Sequence, residues 1–75
     1  MTMISEFSAV LRDQIETTQD ALLAAQAAGL PRQVYRHSAR LLDLLDRADL
    51  NGVDTNGWVT EDILSVAYAT FPTNA

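Results

Sequence analysis

The sequence predicts an all-α fold: a long antiparallel helical hairpin with a short third helix packed against its open side, assembling as a dimeric helical bundle. Three observations carry this expectation. Apolar residues recur at spacings of three and four through most of the chain, the period of a helix rather than a strand. Eleven Ala and ten Leu dominate the apolar content, which is a helix composition. Finally, Gly29, Pro31, Gly52, Gly57 and Pro72 stand where the apolar patterns break, as stop and start signals should.

The first helix is expected over about 5–28. Ser5 can cap it, and Ile4 with Ala9 forms a weak hydrophobic staple. Its apolar row is Ile4, Phe7, Leu11, Ile15, Leu22 and Ala25, with Thr18 as the polar member and Val10 widening the stripe. The opposite face carries Glu6, Asp13, Glu16, Thr17 and Asp20. Gly29 supplies a left-handed cap, and Pro31 prevents simple continuation. Such a helix is about 36 Å long, which is long for so small a chain.

Pro31 opens the second helix, expected over 31–49, because its missing N–H would lack a helical partner there in any case. The expected central face is Val34, Ser38, Leu41, Leu45 and Ala48, flanked by His37 and Leu44. Another face holds Arg32, Arg36, Arg40, Asp43 and Arg47, with Arg40–Asp43 and Asp43–Arg47 spaced as ion pairs. This arginine row is also expected to oppose Asp13, Glu16 and Asp20 of the first helix across the rim, within a chain or between chains. Tyr35 and Leu42 lie seven residues apart on a third side, where one antiparallel neighbour cannot cover them.

The third helix, expected over 60–71, has the best specified start in the chain. Thr60 caps, Glu61 and Asp62 place negative charge in the first turn, and Val59 can staple to Leu64. Its apolar set of Ile63, Leu64, Val66, Ala67, Tyr68 and Phe71 spreads round more than half the circumference. A helix of that kind is sandwiched or lies at an interface. Residues 72–75 should be loose.

The size of the chain points the same way. At 75 residues, apolar burial supplies about 110 kcal/mol and conformational ordering costs about the same. A second copy completing a four-helix bundle would relieve that balance. Tyr35, Leu42, Trp58, Tyr68 and Phe71 are the contact candidates, being the large groups a lone three-helix core covers least easily.

The acidic loop at 50–59 contains two Asn-Gly steps, Asn51-Gly52 and Asn56-Gly57, each a strong turn former. Asp49, Asn51, Asp54 and Asn56 are weak cation candidates. With Gly57 at the invariant sixth position of a calcium loop, Gly52 and Ile63 occupy the first and twelfth positions, where carboxylates belong. With Asp49 first, Asp54 occupies the place of the glycine and Glu61 falls one residue too far. Neither register closes a calcium shell, so two turns and a helix cap explain the loop. Trp58 is expected to fold back as a lid on the core, with partner contact as its alternative.

The chemistry open to the chain is limited. There is no Cys, hence no disulfide, thiolate zinc site or iron–sulfur cluster. His37 is the single His and reads as a boundary residue, with catalysis or a pH-sensitive interface as lesser readings. No serine sits in a nucleophile-elbow pattern, and no Lys exists for a phosphate loop. No catalytic residue, cofactor or specific small molecule is expected, and enzyme activity is not.

A net charge of -5 disfavours nucleic-acid binding overall. Arg32, Arg36, Arg40 and Arg47 nevertheless form a local basic row that could meet phosphates or an acidic partner. A helix-turn-helix reading suits small trihelical prokaryotic proteins. Here the 51–59 loop is too long and the third helix offers acids. The turn around Gly29 is better placed, but helix two would have to read DNA beside a first helix of unusual length, so DNA binding is the lesser reading. No apolar run approaches a membrane span and no signal peptide is apparent, so a cytoplasmic location is expected. The sequence-level expectation is a small acidic accessory or regulatory protein working through helix-face contacts. Its partner would be a second copy of itself, another protein, or both. The alternatives are a nucleic-acid-associated regulator using the arginine face and a small structural subunit of a larger enzyme complex.

Overall fold

A computed structural model of the chain describes residues 6–71. Three helices, α1 (Glu6–Ala27), α2 (Pro31–Leu50) and α3 (Glu61–Thr70), make up its secondary structure, with no strand among the described residues. The expected cap at Ser5 and staple at Ile4 lie outside the described residues, as does Pro72. No helix is long and apolar enough to cross a membrane among the described residues.

α1 and α2 pack closely. Leu11, Ile15 and Leu22 from α1 meet Leu41, Leu44 and Ala48 from α2, and Ile63 and Ala67 of α3 close the cluster. Thr18 lies buried in the same row of α1, one turn beyond Ile15. Two members of the expected α1 stripe do not join the core. Phe7 remains 42% exposed and Val10 55%, because burial on α1 begins only at Leu11 and its first turns overhang the packed region.

The centre of α2 also shifts from the expected one. Leu44, expected at the flank, is fully buried, whereas Leu45 is only half-buried. Two neighbours share this helix, so its buried arc is turned toward α1 and Leu45 is left on the side of α3. Ser38 is fully buried in the middle of α2, and its Oγ has no hydrogen-bond partner among the described residues.

Both long helices stop in the same way. Gly29 at φ 67° lets Leu30 N donate to Ala25 O (3.0 Å) and Gly29 N to Gln26 O (3.1 Å). Gly52 at φ 69° lets Val53 N donate to Ala48 O (2.8 Å) and Gly52 N to Asp49 O (3.1 Å). Each is a Schellman closure, which satisfies carbonyls that the helix end leaves unpaired. Pro31 starts α2 directly after the first, and Leu30 caps it without a side-chain bond.

α3 starts on its own cap and on a borrowed one. Thr60 Oγ1 accepts from Ile63 N at 3.3 Å. In a capping box the third helical residue would return a carboxylate or amide to the cap's own N–H, but that residue here is Ile63. Gln19 of α1 supplies the missing acceptor, its Oε1 taking the Thr60 N–H at 3.0 Å. α3 packs chiefly on α2 and lightly on α1. At 10 residues against 20 for α2, it covers only part of that helix's flank.

Candidate interaction surface

The part of α2 left uncovered by α1 and α3 defines the candidate site. Tyr35 is 57% exposed and its ring meets Phe71, the C-cap of α3, at 4.5 Å between centroids and a 46° tilt. Leu42 is half-buried against the core. Tyr68 is 50% exposed on α3, so this side of that helix is not covered by the described residues. These four residues are brought together on one side of the molecule. Two shallow depressions lie along it, one lined by Arg32, Tyr35, Arg36 and Ala39, the other by Leu42, Leu45, Asp46, Asp49, Tyr68 and Phe71. The first has a basic rim and the second an acidic one.

Trp58 is separate from this surface. It is half-buried over the core and lies beneath the Arg12 guanidinium, 5.3 Å from the ring centroid. Attraction of a cation to the aromatic face stabilises such contacts by about 0.5–1 kcal/mol at exposed sites. Arg12 Nε also donates to Glu16 Oε2 at 3.3 Å. Trp58 thus acts as a lid, pinned from α1 by a base that stands apart from the arginine row.

Among the described residues, the ion pairs are Arg12–Glu16 and Arg47–Asp43, the latter at 3.3 Å. Both are exposed i,i+4 pairs, each contributing about 0.3–0.5 kcal/mol. Within the chain, neither the expected Arg40–Asp43 pair nor an arginine–carboxylate pair between α2 and α1 forms among the described residues. Arg32, Arg36 and Arg40 are exposed and make no ion pair among the described residues.

The loop carboxylates and amides serve the backbone. Asp54 Oδ1 accepts from Asn56 N at 2.9 Å, and Trp58 N donates to Thr55 O at 3.0 Å. Gly57 at φ 83° supplies the positive φ of that turn. Asn51 Nδ2 donates to Arg47 O at 2.8 Å, reinforcing the end of α2, while Asp49 points to the acidic depression. No group of three or more His, Cys, Asp or Glu side chains placed to hold a metal ion occurs among the described residues. Every Asp, Glu and Arg described is exposed, and the half-buried His37 side chain makes no hydrogen bond among the described residues.

Compared with known protein families, curated proteins and solved structures, the chain matches none.

Residue-by-residue reading of the sequence overlooks Ala39, Asp46 and Leu45 as lining of this surface, and Gln19 and Arg12 as long-range anchors. A signal for the first set is present. Arg32, Tyr35, Ala39, Leu42, Asp46 and Asp49 follow one another at alternating spacings of three and four, the mark of a single helical seam.

Proposed function

We propose that this chain is a small non-catalytic accessory or regulatory protein that acts through helix-face contacts with protein partners. In this reading α1 and α2 form an antiparallel hairpin, α3 buttresses one side, and the remaining flank of α2 is the working surface. The supporting observation is the joined apolar and aromatic surface of Tyr35, Leu42, Tyr68 and Phe71. Aromatic side chains are enriched in the anchoring centres of interfaces, and Tyr35 and Tyr68 remain 57% and 50% exposed. The charged residues around it are all in water, suited to orienting a partner rather than to acid–base chemistry.

A photo-crosslinking amino acid placed at Tyr68, with another at Asp20 on the outer face of α1 as control, tests this in the producing cell. A discrete adduct from position 68 and none from position 20 is the expected result. Absence of any adduct, or the same diffuse products from both positions, would overturn the reading. An adduct with a much larger protein would specify the subunit version of the same role.

A second reading rests on the exposure of Arg32, Arg36 and Arg40 without acid partners among the described residues. These bases could engage a nucleic-acid backbone despite the net charge of -5. Binding to duplex DNA or RNA that weakens steeply with salt, and is lost in an Arg36→Glu/Arg40→Glu double variant, would favour it. Binding absent even at low salt would eliminate it.

A further inference from the structure

We propose that the partner of this surface is a second copy of the chain, docked with the two α2 helices antiparallel about a twofold axis between Ala39 and Leu42. This inference rests on the protein-contact reading above and deepens it.

The exposed seam of α2 is complementary to itself when reversed. Arg32, Ala39 and Asp46 hold one set of heptad positions, and Tyr35, Leu42 and Asp49 the other. All but the half-buried Leu42 are exposed. In an isologous contact, each residue meets a partner and that partner meets it in return. Antiparallel alignment sets Arg32 against Asp49 of the second copy, Tyr35 against its Asp46, and Ala39 against its Leu42.

Each of those meetings is chemically complementary. A guanidinium faces a carboxylate, and a phenol O–H can donate to a carboxylate. The smallest side chain faces the branched one that would otherwise overlap a copy of itself. Beside the seam, Arg36 comes opposite Asp43, whose present Arg47 partner is an exposed, cheaply exchanged one. The depression with a basic rim on one copy therefore meets the acidic one on the other, with Tyr68 and Phe71 walling the groove that receives Tyr35.

Parallel docking is excluded by the same residues. It would place Arg32 on Arg32, Asp46 on Asp46 and Asp49 on Asp49, and like charges in contact oppose association.

Sedimentation across a concentration series, with two charge reversals, tests the proposal. The wild-type chain is expected to be dimeric at low micromolar concentration. Arg32→Asp and Asp49→Arg each create two facing like-charge pairs, and each should weaken the dimer on the order of tenfold or more. Mixing the two variants restores both pairs in the heterodimer, so the mixture should associate as tightly as wild type. Ala39→Glu, an exposed and helix-compatible change, should also abolish the dimer, and far-ultraviolet circular dichroism verifies that each variant remains helical.

A wild-type monomer at high micromolar concentration would overturn the proposal, as would variants that dimerise undiminished or a mixture no tighter than its components. A monomer that still gives a discrete adduct with another protein from position 68 would overturn self-docking and leave the broader contact reading standing. Absence of both dimer and adduct would remove both.

Discussion

At the end of α1, Leu30 and Gly29 return their amides to Ala25 and Gln26, and at the end of α2, Val53 and Gly52 return theirs to Ala48 and Asp49. Ala25 and Ala48 are both buried, and an apolar residue follows each glycine. Yet the chain does different things next. Leu30 stays 41% exposed and Pro31 opens a helix at once. Val53 packs against the core, and the chain winds through a second turn and Trp58 before Thr60 begins α3. The comparison separates two questions that are often merged. Glycine in the left-handed region decides where a helix stops. The residue after it, and what that residue can bury, decides where the chain goes.

The largest expected effects test the shared half of that statement. Gly29→Ala and Gly52→Ala should each lower stability by about 1–2 kcal/mol, the backbone penalty for a Cβ at positive φ. They should do so equally, because an added Cβ meets nothing within 4 Å at either site. Chemical denaturation measures both, and a gap of more than about 1 kcal/mol would show that the two closures are not equivalent.

Truncating the following residue tests the unshared half. Val53→Ala should cost about 1 kcal/mol through lost packing, and Leu30→Ala less, because Leu30 keeps 41% of its surface in water. A reversed order would mean that Leu30 is covered in solution, which would extend the interaction surface to the α1–α2 connection.

The long route after Gly52 needs a distant anchor that the short one does not. Gln19→Ala should therefore remove about 0.5–1.5 kcal/mol by leaving the Thr60 N–H without its acceptor. Gln19→Glu should retain most of that, since a carboxylate also accepts and suits a helix N-terminus. If Ala and Glu behave alike, the bond does not hold in solution.

Midway between the two ends, Ser38→Ala should have the opposite sign. It should raise stability by about 0.5–1 kcal/mol, because it deletes a buried hydroxyl without a partner and improves helix propensity. A loss measured by thermal unfolding would show that the Ser38 hydroxyl is satisfied.

Much of the architecture is legible in the sequence. The three helices, their glycine and proline punctuation and the Thr60 cap are local features, written in residues within a few positions of one another. What is not legible depends on residues far apart. A helical wheel gives α2 one apolar centre, but two neighbours pull its burial toward Leu44 and leave Leu45 at the side. Phe7 has a core residue's spacing, but spacing does not say where a neighbouring helix ends. Gln19 and Thr60 are separated by 41 positions, and nothing local marks either as the other's partner. For the candidate surface, Tyr35 and Leu42 stand out as misplaced apolar groups. Their membership of a charged seam emerges only when Asp46 and Asp49 are read with them instead of as part of a solvated acidic end.

The borrowed cap has a consequence for the order in which the molecule assembles. A ten-residue helix has too few internal bonds to persist alone in water, and α3 obtains one of its first from a residue that must already be fixed on α1. The packed pair of α1 and α2 should thus form first and α3 close over it last, and the same segment should open first under mild stress. The single Trp sits at that closing edge. Its fluorescence should report the final step of folding, while circular dichroism reports the earlier ones, and the interval between the two signals is a clock for the docking of α3.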